Sequence, residues 1–64
     1  MANTKLTSVK LLEELYNRFK LNTVNTKMTL QKLTNRTVNL YLTDTQFKDK
    51  LETHDHLNVS GSNF

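Results

Sequence analysis

The stretch that decides the expected fold is residues 5–11, which read Lys-Leu-Thr-Ser-Val-Lys-Leu. Two rows of side chains alternate along it: one row is Thr7, Val9 and Leu11, and the other is Leu6, Ser8 and Lys10. A period of two predicts a β-strand. No second strand pattern follows in the sequence. Because a lone strand leaves its backbone groups unpaired, we expect it to pair with the same strand of a second copy.

Three helices are expected after this strand. Apolar spacing after Glu13 and Glu14 predicts a first helix that ends near residues 25–27. Thr29 is a candidate N-cap for a second helix, the strongest helical signal in the chain. One face of that helix comprises Leu30, Leu33, Thr34, Thr37, Val38, Tyr41 and Leu42. A short third helix is expected within residues 43–53, capped at Thr43, with flexible ends at residues 1–4 and 54–64.

The length and composition indicate one small domain that needs a partner. A 64-residue chain buries only about 60% of the surface that it exposes when unfolded, so a monomer is marginally stable. The sequence has no cysteine, which excludes disulfides and thiolate metal sites and leaves oligomerisation as the expected source of stability. No apolar run reaches membrane-spanning length and no signal peptide is visible, so we expect a cytoplasmic protein without a membrane partner.

Charge is distributed unevenly along the chain. Residues 1–42 contain seven Lys or Arg and two acids, whereas residues 43–64 contain two Lys and four acids. A basic body with an acidic C-terminal part favours a polyanionic partner, because cationic side chains that contact phosphates supply most of the sequence-independent affinity for nucleic acid. Ordinary solvated charge is the alternative interpretation.

The order of elements over residues 5–42 resembles the ribbon-helix-helix family of DNA-binding proteins, also called the MetJ/Arc type. The similar segments are Thr7–Leu11, Leu12-Glu13-Glu14-Leu15, Met28–Leu33 and Tyr41-Leu42. The chain departs from the family pattern at Leu12, where proline is usual, at Asn22, where an apolar residue is usual, and near Thr26-Lys27, where glycine is common. The resemblance implies a mainly α homodimer with an intersubunit two-stranded antiparallel β-ribbon, followed here by a short third helix.

The resemblance, together with the alternation, also implies roles for individual residues. The family's ribbon lies in the major groove of double-stranded DNA. The expected base contacts are Leu6, Ser8 and Lys10. The expected phosphate contacts are Lys5, Thr29, Leu30, Gln31 and Lys32, the last four at a helix N-terminus. The expected dimer core is Thr7, Val9, Leu11, Leu15, Phe19, Leu33, Val38 and Tyr41. A solvated strand face and simple helix capping by Thr29 are the plainer alternatives.

The function expected from these features is sequence-specific binding of double-stranded DNA by a homodimer, as a transcriptional repressor of a plasmid, phage or similar operon. The alternatives are a partition or relaxosome accessory protein, an antitoxin whose C-terminal segment binds a protein partner, and a helical interaction module that does not bind DNA. The assembly of further dimers on adjacent DNA sites is compatible with the repressor function. No cofactor, metal site or enzymatic activity is expected, because His54 and His56 lack a further ligand cluster and no nucleophile or acid–base set is visible.

Overall fold

A computed structural model describes residues 3–64 of the chain, and these residues contain three α-helices. Helix α1 spans Glu13–Asn22, α2 spans Leu30–Thr43 and α3 spans Thr45–Glu52. The expectation of a flexible N-terminus at residues 1–4 lies partly outside the described residues. Helix α2 packs on α3, whereas α1 packs on neither of the other two helices.

The predicted β-ribbon is wrong. Residues 5–11 are irregular backbone, and no residue between 3 and 64 belongs to a β-strand. An alternating pattern places side chains on two sides of a segment, but a strand exists only where its N–H and C=O groups pair with a neighbour. No segment of the described chain provides that neighbour. The fold is therefore a small all-α fold, not a ribbon-helix-helix arrangement with an intersubunit β-ribbon.

Helix α1 begins and ends through local backbone chemistry. Leu12 is the N-cap without a side-chain hydrogen bond, and two glutamates in the first turn suit the positive end of the helix dipole. The helix ends at Asn22, earlier than the sequence predicts. Thr23 is its C-cap: the N–H of Thr23 donates to the carbonyl of Phe19 at 3.1 Å, and the Thr23 hydroxyl donates to the same oxygen at 2.8 Å. Threonine hydroxyls compete in this way with continuing helix.

Helices α2 and α3 are joined through the single residue Asp44. Its N–H donates to the carbonyl of Leu40 at 2.8 Å, which closes α2, and its Oδ1 accepts from the N–H of Phe47 at 3.1 Å, which caps α3. The predicted cap at Thr43 is wrong, because Thr43 is the last residue of α2 and its hydroxyl donates to Asn39 O at 2.8 Å. The third helix itself lies within the predicted residues 43–53.

No side chain of the described residues is buried. The residues that are half-buried are Leu12, Phe19, Thr23, Met28, Thr37, Tyr41, Phe47, Leu57, Val59 and Ser62. These residues are spread over all three helices, the α1–α2 turn and the C-terminal segment. One copy of the chain therefore has partial contacts between its elements but no closed hydrophobic core.

The C-terminal segment, residues 54–64, contains turns but no helix or strand. The N–H of His56 donates to the carbonyl of Phe64 at 2.8 Å, which closes the segment into a loop. Gly61 has φ +78°, and a Cβ there would lie 3.9 Å from Cδ2 of Leu12. The loop thus lies beside the start of α1. Its expected flexibility stays a prediction.

Candidate nucleic-acid interface

The basic charge of the chain is concentrated in a continuous stretch that includes α2. Residues 15–43 contain five Lys or Arg and no Asp or Glu. Lys32 and Arg36 are four residues apart, so they are neighbours on one side of α2. A shallow groove on this side is lined by Thr29, Gln31, Lys32, Asn35 and Arg36, which we call the basic surface.

The N-terminus of α2 lies at one end of the basic surface. Oγ1 of Thr29 accepts from the N–H of Lys32 at 3.1 Å, and the carbonyl of Thr29 accepts from the N–H of Leu33 at 2.9 Å. The first bond satisfies one of the four amides that a helix start leaves without intrahelical partners, and the second is the first hydrogen bond of the helix itself. The amides of Leu30 and Gln31 remain directed out of the helix end. The first turn has no acidic residue to neutralise the positive end of the helix dipole.

The charged end of Lys32 lies next to the start of α2. The ammonium of Lys32 donates to the carbonyl of Lys27 at 3.0 Å, which places its charge over the turn that precedes α2. Neither lysine, nor Arg36, forms an ion pair within residues 3–64. By contrast, Arg18 lies 3.8 Å from Glu14, one turn earlier on α1. The positive charges of Lys32 and Arg36 on the basic surface are therefore not compensated by an ion pair within residues 3–64.

The structure separates the two groups of predicted DNA contacts. Four of the predicted phosphate contacts, Thr29, Leu30, Gln31 and Lys32, lie together at the start of α2, and their contact with phosphate stays a prediction. Leu6, Ser8 and Lys10, the predicted base contacts, lie with Lys5 in the irregular segment before α1 and are all exposed. Leu6 is 99% exposed and Val9, from the other row, is 74% exposed, so burial does not distinguish the two rows. The proposed base contacts stay a prediction.

Sequence reasoning missed two residues of the basic surface, Asn35 and Arg36. The available signal was their spacing, since each follows Gln31 or Lys32 by four residues and therefore shares its side of the helix. An amide side chain beside two cations provides hydrogen-bond donors and acceptors as well as charge. This combination can contact both phosphates and base edges.

The predicted dimer core is not assembled within one copy of the chain. Phe19 and Tyr41 are half-buried, whereas the remaining six predicted core residues are exposed: Thr7, Val9, Leu11, Leu15, Leu33 and Val38. A residue that packs only against a second copy is expected to be exposed in a single chain. Their role in a dimer thus stays a prediction.

Among the described residues, no group of three or more His, Asp or Glu is arranged to hold a metal ion. The pKa of Tyr41 is raised by its hydrogen bond to Glu52, with smaller contributions from desolvation and from the glutamate charge. This tyrosine lies at the α2–α3 contact, away from the residues of the basic surface. None of the described helices is long and apolar enough to span a lipid bilayer.

Comparison with known proteins gives no match: no family model, curated protein or solved structure is similar to this chain. The resemblance to the ribbon-helix-helix family stays a hypothesis from short motifs, and the absence of its β-ribbon counts against it. A functional assignment therefore depends on the charge distribution and on the geometry at the start of α2.

Proposed function

We propose that this chain binds double-stranded DNA through the basic surface at the start of α2. The observation that carries this proposal is the capped N-terminus of α2, with Lys32 and Arg36 in the adjoining groove and no acidic side chain from residue 15 to residue 43. Phosphate groups are favoured at such a helix end by its outward amides and its dipole. Each neutralised phosphate also releases condensed counterions, which adds affinity.

The rigidity of this surface favours a duplex partner. Lys32, Arg36 and the outward amides are carried by one fourteen-residue helix, so the backbone positions from which they extend are set before binding. A fixed array of donors suits a polyanion whose phosphates are regularly spaced, such as duplex DNA. Gln31 and Asn35 lie beside the two cations in the same groove, and amide side chains match the hydrogen-bonding edge that adenine presents in the major groove. The Asn35 amide donates to the Gln31 carbonyl at 2.8 Å, which leaves its oxygen and its second N–H for such a contact.

The exposed segment before α1 supports the same proposal. It carries Lys5 and Lys10 without an acidic residue, and its backbone is not engaged in a strand. Such a segment can become ordered along a groove when DNA binds, with the entropy of ordering offset by the new contacts. In this proposal Ser8 and Lys10 contact base edges and Lys5 contacts a phosphate.

The biological role that we propose is transcriptional repression in the cytoplasm. Partition or relaxosome accessory binding would use the same DNA-binding surface, and an antitoxin would add a protein partner bound by the acidic C-terminal part. A helical interaction module is a second candidate, because several leucines of α2 are exposed. That candidate predicts no salt-dependent affinity for DNA.

The test is fluorescence anisotropy with labelled duplexes over a series of salt concentrations. One duplex carries the DNA upstream of the protein's own gene, and the other carries the same bases in scrambled order. We expect the logarithm of the association constant to fall linearly with the logarithm of salt concentration, with tighter binding to the upstream duplex. Absent or salt-independent binding would contradict DNA binding. Equal affinity for both duplexes would contradict sequence-specific repression, and tighter binding of single-stranded RNA would contradict the choice of DNA.

A further inference from the structure

Residues 56–64, which we call the C-terminal loop, are held together by their own hydrogen bonds. The N–H of His56 donates to the carbonyl of Phe64 at 2.8 Å and joins the two ends of the loop. Inside it, the N–H of Ser62 donates to the carbonyl of Val59 at 3.3 Å. Three of the nine side chains are half-buried, including those of Val59 and Ser62. A surface segment of this length whose ends meet and whose own side chains pack together is typical of an Ω-loop.

The C-terminal loop lies against Leu12, the residue at which α1 begins. Leu12 is half-buried, whereas every other residue from 3 to 18 is exposed. Capping does not explain this burial, because the side chain of Leu12 makes no hydrogen bond at the helix start. Gly61 lies beside it, since a Cβ on Gly61 would be 3.9 Å from Cδ2 of Leu12. The loop therefore covers part of the one side chain that is withdrawn from solvent at this end of the molecule.

The closed form of the loop depends on two residues with left-handed backbone. Gly61 has φ +78°, a conformation that residues with a Cβ rarely adopt. His56 has φ +54° and is the only non-glycine residue of the described chain with a positive φ. Contacts of the loop must offset the conformational cost at His56. An alanine at position 61 would add a second strained residue without a collision, because 3.9 Å is an ordinary contact distance.

We propose that the C-terminal loop fixes the start of α1 and thereby the point from which residues 3–11 leave the folded body. Gly61 and Leu12 are then positioning residues for the base contacts of Ser8 and Lys10. This role rests on the proposed function, because it concerns how the same chain reads DNA. The Cα atom of Lys10 is at most about 7 Å from that of Leu12, so a fixed Leu12 leaves Lys10 little conformational freedom to lose on binding.

A fixed exit point should affect sequence preference more than general affinity. Hydrogen bonds to base edges require a narrow range of distance and angle, so they form only if the segment enters the groove in the correct place. Phosphate contacts at the basic surface come from α2, which does not depend on the position of this segment. The ratio of affinities for two duplexes therefore reports the positioning role, and the salt dependence reports the basic surface.

The first test examines the loop without DNA, so that its result does not depend on the proposed function. In NMR spectra of the full chain we expect a nuclear Overhauser effect (NOE) between the Leu12 methyl groups and the Gly61 Hα protons. Gly61→Ala should remove the approach of the loop to Leu12, as shown by loss of the NOE from residue 61. Ser60→Ala is the matched control, because residue 60 is exposed and does not have a positive φ. An NOE that is missing from the wild type, or unchanged in Gly61→Ala, would overturn the proposal.

The second test measures the affinity for the upstream duplex divided by that for the scrambled one. Gly61→Ala should lower this ratio about tenfold, close to the loss of one base contact, and leave the salt slope unchanged. Leu12→Ala should do the same, because it removes the other side of the contact and no capping hydrogen bond. Ser60→Ala should match the wild type.

Two results would overturn the positioning role: an unchanged ratio in both Gly61→Ala and Leu12→Ala, or an equal fall of the ratio in Ser60→Ala. A wild-type chain that binds neither duplex would contradict the proposed function and the positioning role together. The NOE would still show in that case whether the loop contacts the start of α1, so the two failures are distinguishable.

Discussion

The hydroxyl of Tyr41 donates a hydrogen bond of 2.7 Å to Oε2 of Glu52, eleven residues later in the chain. This bond joins the last turn of α2 to the last residue of α3. The ammonium of Lys48 lies 5.7 Å from the centre of the same ring, so a cation–π contact supports it. Together these contacts hold α3 against α2 where neither helix has a buried side chain.

The Tyr41–Glu52 bond predicts a loss of stability at alkaline pH. The bond to the carboxylate raises the pKa of Tyr41 above the value of about 10 of an unfolded tyrosine. A group whose pKa is raised on folding stabilises the folded state below its unfolded pKa, and this contribution is lost as the pH rises through its folded pKa. Tyr16→Phe leaves Tyr41 as the only tyrosine, so that its tyrosinate absorbance can be titrated alone. A titration midpoint that does not change when Glu52→Gln is added would contradict the role of this bond.

Two substitutions of Thr29 distinguish its role in helix stability from its proposed role in anion binding. Thr29→Ala removes the acceptor for the Lys32 N–H and should destabilise the fold by about 1 kcal/mol. Thr29→Asp keeps a capping oxygen but adds a negative charge at the helix end. We therefore expect Thr29→Asp to preserve the helix by circular dichroism and to weaken duplex binding by anisotropy. If Thr29→Asp binds DNA as tightly as the wild type, phosphate does not bind at this helix end.

The two cations of the basic surface, Lys32 and Arg36, should contribute affinity without sequence preference. Lys32→Ala and Arg36→Ala each remove one proposed phosphate contact, so each should reduce the slope of log affinity against log salt by about 1 and weaken all duplexes alike. Lys50→Ala on α3 changes the net charge by the same amount in the acidic part of the chain, and it serves as the control. Equal effects of Lys50→Ala and Arg36→Ala would show that only net charge matters, which would rule out a localised surface.

The segment before α1 is expected to contribute sequence preference. If Lys10 contacts a base edge, Lys10→Ala should cost about 1–3 kcal/mol on the preferred duplex and little on the scrambled one. Lys5→Ala, which removes a proposed phosphate contact from the same segment, should weaken both duplexes equally. The comparison is made from the ratio of the two affinities in each variant. An unchanged ratio in Lys10→Ala would remove this residue from the proposed base contacts.

Local signals in the sequence determined the helical part of the fold. Thr29 caps α2 because the side-chain oxygen of a threonine before an apolar helical pattern can accept a hydrogen bond from an amide two or three residues later. This contact lies within one helical turn. The third helix lies within the predicted range because its cap is also a local contact, although the capping residue is Asp44 and not the predicted Thr43. The predicted cluster of Thr29, Leu30, Gln31 and Lys32 is also local, since a helix start brings its first residues together whatever the rest of the chain does.

Only the tertiary structure decided the features that depend on distant partners. The alternation in residues 5–11 suggested a strand, but no neighbouring segment pairs with its backbone, so the strand is absent from the described chain. The placement of α3 against α2 depends on Tyr41 meeting Glu52, eleven residues later in the chain. Side-chain periodicity determines which faces are apolar. Whether those faces are covered depends on packing between elements, because burial is a property of the assembled surface and not of the pattern.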